Sequence, residues 1–423
     1  MPWITSRSPG RRVTARDAAW SSVEFFRVLG PFPDVPVDAV RRSLIALHAQ
    51  RPTSRFVCRL DHRRGRWVPL SATGFAQWVD RLIVPMGAGL DADACARVLN
   101  AEVLEDRPMV LAAGGRFGGL RASHSVGDAR VTDALLAEVL AAATTGRTAT
   151  YPVPRPDRLP WVRAFAHQFG GHPGRLPAAV RIRRPPPPAT SAASGAGRHL
   201  TVAYASAASA PGTLTQVRKW RDEHAPGVAV SAVLFSAMYA TMRRNLGEPD
   251  PAGFVVLVDA RRYLPAGLTV EGNFVWGEHV RPTSPEDPAA VAAAVAELVR
   301  SRRVLTMLGL HNLRSALHRV GAPMLRTPGR SRAVTPATPA RPHLTVTYLG
   351  RNDSFAALPW SLHDQARIIG VVSPSGPRGI TVAMDELDDA LHITASYHPE
   401  VFDSRTVTAA VVDAAQAVAG GRG

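Results

Sequence analysis

A histidine and an aspartate four residues apart, His124 and Asp128, stand in the stretch Arg121-Ala122-Ser123-His124-Ser125-Val126-Gly127-Asp128-Ala129. An imidazole with a pKa near working pH, held in place by its neighbours, is suited to general-base chemistry: it takes a proton from an attacking hydroxyl or amine. The plain alternative is a surface-loop histidine, one of 14 in the chain. Asp128 also has a plain duty, capping the helix that follows it. A metal site built from the pair is not expected, because no further His, Cys or carboxylate stands nearby at ligand spacing.

The elements around the pair explain why it would be held firmly. Met109–Ala113 and Phe117–Ala122 are apolar runs separated by Gly114-Gly115, which predicts a hairpin. Val131, Leu135, Val139 and Leu140 are spaced for burial on one face of a helix over 131–143. His124 therefore falls between a strand end and a helix start. The glycines at 114, 115, 118 and 119 do not form a phosphate loop, since no Lys-Ser/Thr pair follows them. No GxSxG or HExxH motif is present.

The chain has 423 residues, room for two domains of ordinary size. With 46% hydrophobic residues, 20% charged and a mean hydropathy of −0.03, it has a globular composition. No apolar run approaches the ~20 residues of a membrane helix, and the N-terminus lacks the apolar core of a signal peptide. Two cysteines, Cys58 and Cys95, are too few for a disulfide framework. A cytoplasmic, reduced protein is expected. The net charge of +16 comes almost wholly from arginine, Lys219 being the one lysine among 50 basic residues. Those arginines are scattered in pairs and form no basic stripe with interleaved aromatics, so nucleic-acid binding is not expected.

Before the hairpin, the pattern predicts helices over 37–48 and 92–104, a strand or loop over 25–29, and short strands over 55–60 and 66–70. A short helix is expected over 161–169. Pro185 to Pro188 and the Ala/Ser/Gly run to 199 predict a linker, stiff at its start and flexible at its end. This divides the chain into 1–184, 185–199 and 200–423. The second half predicts strands over 200–205, 254–258, 343–349, 368–372, 380–384 and 391–397. Its helices are expected over 213–223, 231–246, 289–303 and 404–418. Phe254 to Val258 is continuously apolar, which predicts a strand covered on both faces. Strands mixed with helices in both halves give an α/β (mixed α+β) class.

Taken in order, these elements resemble the CoA-dependent acyltransferase superfamily: condensation domains of nonribosomal peptide synthetases, polyketide-associated acyltransferases, and wax-ester and diacylglycerol synthases. The signature of that family is HHxxxDG, about a third of the way along the chain. Here it reads Ser123-His124-Ser125-Val126-Gly127-Asp128-Ala129, with serine for the first histidine and alanine for the glycine. Val258-Asp259-Ala260-Arg261-Arg262-Tyr263-Leu264-Pro265 and Gly272-Asn273-Phe274 are similar to the family's second-lobe arginine segment and GNF turn. Val346-Thr347-Tyr348-Leu349-Gly350 is similar to its NYLG strand, and Val230 to Ala237 to its buried second-lobe helix.

The resemblance implies two chloramphenicol-acetyltransferase-like lobes, each a β-sheet flanked by helices, with a tunnel between them. It implies His124 as general base and Asp128 as a structural residue paired with a second-lobe arginine, Arg261 first and Arg262 second. Ser123 would stand where a histidine supports the loop. Asn273 would brace the second lobe or the tunnel wall, or serve as an ordinary turn asparagine. The expected donor is an acyl thioester, on CoA or on the phosphopantetheine arm of an acyl or peptidyl carrier protein, and the acceptor a small-molecule hydroxyl or amine. No tightly bound cofactor is expected, and the chain is expected to act as a monomer in lipid or natural-product biosynthesis. A binding or scaffold protein with a degenerate motif is the alternative, because Ser123 and Ala129 depart from the pattern.

Overall fold

The strand Gly118–Ser123 is where the architecture begins, because it delivers His124 and pairs on both edges. In the computed structural model, the described residues are 10–21, 23–152, 156–157, 159–181, 200–321 and 341–419. The proposed linker at 185–199 lies outside them. A five-stranded sheet runs in the order Arg367–Val372, Glu24–Gly30, Gly118–Ser123, Met109–Ala113, Ile83–Pro85, all antiparallel except the last pair. Alternation along Glu24–Gly30 separates two apolar clusters. Phe25 and Leu29 join one with the helix Val37–Gln50, while Phe26 and Val28 join the other with the helix Ala92–Ala101. A small three-stranded sheet, Arg11–Arg12, Arg66–Val68 and Arg59–Asp61, flanks it.

The second sheet has six strands in the order Val275–Val280, Phe254–Asp259, His343–Arg351, Gly379–Leu387, Ala390–Tyr397, Ala203–Ala208. Parallel pairing of His343–Arg351 with both its neighbours makes it mixed. The helices Val230–Leu246 and Ser404–Ala419 pack together over it. Two lobes of α/β type result, as the pattern and the resemblance led one to expect.

Three segments differ from the sequence expectation. Phe254–Asp259 alternates buried and half-buried positions, so one face only is sealed. The helix expected over 289–303 ends at Arg300. Arg302 takes a positive φ of 57°, and a second helix, Arg303–Gly321, starts there. The run 55–58 is turn rather than strand, and it buries Arg55 beside the motif.

The strand Arg367–Val372 lies in the C-terminal half of the sequence but forms the edge of the N-terminal sheet. An edge strand carries unpaired N–H groups. Here alternate ones are satisfied by side chains of Ala390–Tyr397 in the other sheet. Ile368 N–H donates to His392 Nδ1 (3.4 Å), Gly370 N–H to Thr394 Oγ1 (3.2 Å) and Val372 N–H to Ser396 Oγ (3.2 Å). Burial holds the His392 pKa down at about 4, which keeps Nδ1 free to accept. A cut of the chain at 185–199 therefore does not follow the sheets, because one strand crosses back.

A buried ion cluster sits at the same seam. Arg27 donates to both oxygens of Asp385 (2.9 and 2.6 Å) and to Asp133 Oδ2 (3.0 Å), joining the first sheet, the helix Ala129–Thr145 and the second sheet.

Candidate active site

His124 follows the last residue of its strand, and its N–H donates to the carbonyl of Val23 (2.8 Å). The strand can lie this close to the helix Ala129–Thr145 because Gly118 has no side chain. A Cβ there would stand 2.2 Å from Leu140 Cδ2. Arg121, in the same strand, pairs with Glu24 (2.6 Å) and donates to the carbonyls of Leu99 and Asn100, fixing the strand to the end of a helix.

The imidazole of His124 sits between two aromatic rings, Phe25 at 4.5 Å and Trp20 at 5.7 Å between centroids. The residue is half-buried, but Nδ1 is enclosed and makes no hydrogen bond of ordinary geometry. Burial pushes the pKa down to about 4, opposed in part by the Asp128 carboxylate and the Gly127 backbone. At neutral pH the ring is therefore uncharged, the form a general base needs.

Asp128 occupies the N-cap position of the helix Ala129–Thr145, yet its side chain caps nothing. Its oxygens accept from Arg261 Nη1 (2.7 Å), Arg261 Nη2 (3.2 Å) and the Phe274 N–H (2.9 Å). Thr132 Oγ1 bonds the Asp128 carbonyl instead. Arg261 follows the strand Phe254–Asp259 and also donates to Asp259 Oδ1 and the carbonyls of Val270 and Gly272. Burial works against its charge, but Asp128 and Asp259 outweigh it and hold the pKa above the ordinary guanidinium value. The structure thus brings Asp128 and Arg261 together across the two halves, and Arg262 takes no part in the pair.

Ser123 is buried, with Oγ 2.9 Å from Ser125 Oγ and accepting from the Ser125 N–H, so it braces the loop locally. Asn273 is buried too. Its Oδ1 accepts from the Val275 N–H (3.0 Å), the bond of a turn asparagine. Ala129 is the first residue of its helix and has no positive φ, so alanine carries no backbone penalty there.

Several residues of the site carry no signal in the motif. Arg55 Nη1 donates to the carbonyls of Ser125 (3.0 Å) and Val126 (3.2 Å) and also pairs with Asp17 (3.2 Å). Arg16 reaches the Glu271 carbonyl (3.2 Å), and Glu271 accepts from Ser54 and Tyr151. Gly272, at φ +102°, gives these cations room. A Cβ would lie 2.5 Å from Arg55 Nη1 and 2.9 Å from Arg16 Nη2. The sequence cues were slight: an arginine between Ser54 and Phe56, and an acid inside a five-residue helix.

Among the described residues, no group of three or more His, Cys, Asp or Glu is placed to hold a metal ion. No described helix is long and apolar enough to cross a membrane.

No protein-family model matches the chain, and no curated protein matches it in sequence. Solved structures do match in fold. The first condensation domain of the CDA synthetase superposes with a TM-score of 0.56 at 16% identity, covering 99% of this chain and 97% of that one. TRI3 trichothecene 15-O-acetyltransferase from Fusarium sporotrichioides gives 0.57 at 12% identity, covering 97% and 95%. Polyketide synthase associated protein 5 from Mycobacterium tuberculosis gives 0.52 at 15% identity, covering 97% and 99%. Over nearly its whole length, then, the chain has the two-lobed fold of that condensation domain and that acetyltransferase.

Proposed function

We propose that this protein is an acyltransferase that moves an acyl group from a CoA or carrier-protein thioester to a hydroxyl or amine, with His124 as general base. The observation that carries this reading is the placement of His124. It is an uncharged imidazole at a strand end, beside the buried Asp128–Arg261 ion pair that ties the motif helix to the second-lobe loop. The fold supports it, since one neighbour is named an O-acetyltransferase and others are synthetase condensation domains. Those neighbours also favour natural-product biosynthesis and a carrier-bound donor. The thioester is a substrate, and the reaction as proposed needs no bound cofactor.

In this mechanism His124 takes the proton of the acceptor as its oxygen or nitrogen bonds to the thioester carbon. The carbonyl pair moves to oxygen, returns as the C–S bond breaks, and the thiolate recovers the proton from the imidazolium. Arg55, Asp128 and Arg261 hold the loop through its backbone and the seam, and none of them exchanges a proton. The test is His124→Ala assayed with acyl-CoA and acyl-carrier donors. A general base contributes about 10²–10⁴ in rate, so turnover should fall by that factor. Unchanged turnover would remove His124 from the role, and a wild-type protein inert to every donor would favour a binding or scaffold function.

A further inference from the structure

The aromatic wall beside His124 contains a second polar atom without a partner. Trp20 closes the helix Ala15–Ala19, and its ring is tilted 49° to the imidazole at 5.7 Å. The side chain is half-buried, but its Nε1 is fully buried and has no hydrogen-bond partner among the described residues. Leaving a buried donor unpaired is costly, so a donor kept in that state beside a reactive group favours an acceptor that displaces what covers it. Two other buried indole N–H groups are unpaired, those of Trp67 and Trp78. Their ring neighbours are Arg55 and Phe75, not His124.

Trp20 is also positioned against His124 through the backbone. The Trp20 carbonyl accepts from the Val23 N–H (3.1 Å), and the Val23 carbonyl accepts from the His124 N–H (2.8 Å). The helix that carries Trp20 is pinned at Asp17, which receives Arg16, Arg55 and the Thr14 hydroxyl. Indole and imidazole are therefore held in one frame before any substrate arrives. That is the condition under which a fixed dipole stabilises developing charge without reorganising.

The chemistry proposed for this site lacks such a donor. His124 removes a proton from the acceptor, but the negative charge of the tetrahedral intermediate develops on the thioester oxygen. Phe25 offers that oxygen nothing. We infer that the Trp20 indole N–H is the donor that receives the thioester carbonyl oxygen as it becomes an oxyanion, which makes Trp20 a second catalytic residue beside His124. This rests on the acyl-transfer reading above. Electron and proton bookkeeping is unaffected: Trp20 keeps its proton throughout and contributes a hydrogen bond that shortens as the oxygen gains charge. The carbonyl oxygen must then lie about 3 Å from Nε1 while its carbon lies about 3 Å from the attacking atom.

The experiment uses the full chain with Trp20→Phe, and with Trp20 replaced by benzothienylalanine, which keeps the bicyclic shape and exchanges N–H for sulfur. Removing one oxyanion donor costs about 10²–10³ in kcat. Both variants should lose turnover by that factor with KM little changed, at wild-type circular dichroism and melting temperature. His124→Ala in the same assay reports separately on the base. A benzothienylalanine protein within threefold of wild-type kcat, while His124→Ala is inactive, overturns the role of Trp20 and leaves the base intact. A second readout needs no turnover. In protein labelled with ¹⁵N-tryptophan, trifluoroacetonyl pantetheine, whose ketone gives a tetrahedral oxyanion mimic, should move one indole resonance downfield. Trp20→Phe should remove that resonance. If no donor turns over, this shift decides: its presence supports the assignment, and an unmoved Trp20 resonance overturns it.

Discussion

The joint between Asp128 and Arg261 predicts an asymmetric double-mutant cycle. Removing Arg261 leaves Asp128 buried with one remaining donor, the Phe274 N–H at 2.9 Å. Removing Asp128 leaves Arg261 with Asp259 at 3.2 Å and two carbonyls at 3.3 and 3.0 Å. Breaking a buried pair by truncating one partner costs about 3–5 kcal/mol, because the other charge stays buried. Arg261→Ala should therefore lie near 5 kcal/mol, and Asp128→Ala near 3, on the same ~3–5 scale. The double variant buries no orphan charge, so it should cost less than the sum by about 1–3 kcal/mol. Urea unfolding followed by far-UV circular dichroism and tryptophan fluorescence measures all four proteins, and transitions that fail to coincide would show that the lobes unfold apart. Additivity within about 0.5 kcal/mol, or Asp128→Ala costing more than Arg261→Ala, would refute the account of this pair as an electrostatic tie across the seam. In Asp128→Asn the charge that opposes burial at His124 is gone, so the His124 pKa should fall further below about 4.

Two further outcomes follow from the same seam. Asp133 shares Arg27 with Asp385, has an unbonded buried Oδ1, and lies near Asp128 and Asn352; burial raises its pKa to about 7. The folded protein then holds a proton that the unfolded chain has lost above its ordinary value of 3.8. That contribution to stability is complete below about pH 4, declines as pH rises and is gone above about 7. Melting temperatures from pH 4 to 8 should show this decline, and Asp133→Asn should flatten it; equal slopes would refute it. Ala129→Gly should restore no activity and cost up to about 1 kcal/mol, because the position is helical. A gain in turnover would mean that the methyl group obstructs substrate.

The local elements were legible because each is written in one short window. The hairpin around Gly114-Gly115 and the helix over 131–143 appear within one or two residues of their expected ends. The pairing of Asp128 with Arg261 could be named only through the resemblance, since nothing in either segment's own pattern points to a residue 133 positions away. The site's long-range parts left no trace. Arg367–Val372 has the apolar pattern of any strand, and that pattern does not say which sheet it joins. The bond pattern that fixes it, His392, Thr394 and Ser396 facing its alternate N–H groups, is polar side chains at period two on a neighbouring strand. Arg55 and Asp17 were invisible for the same reason: a buried charge is recognisable only once its partner is in view.

Those hidden residues carry a functional argument. Both halves contribute to the motif loop's surroundings, and buried polar contacts cross the seam beside apolar ones: Asp128 with Arg261, Arg16 with the Glu271 carbonyl, Arg27 with Asp385. A polar seam is sensitive to geometry, because misplaced buried charges cost far more than misplaced methyl groups. His124, between Phe25 and Trp20, has the opposite environment, apolar enough to keep it uncharged. A base with a pKa near 4 draws little driving force from its own basicity. Stabilisation where charge is received must then add to what the base supplies. This makes the unpaired indole N–H beside His124 as important to the proposed reaction as the imidazole itself.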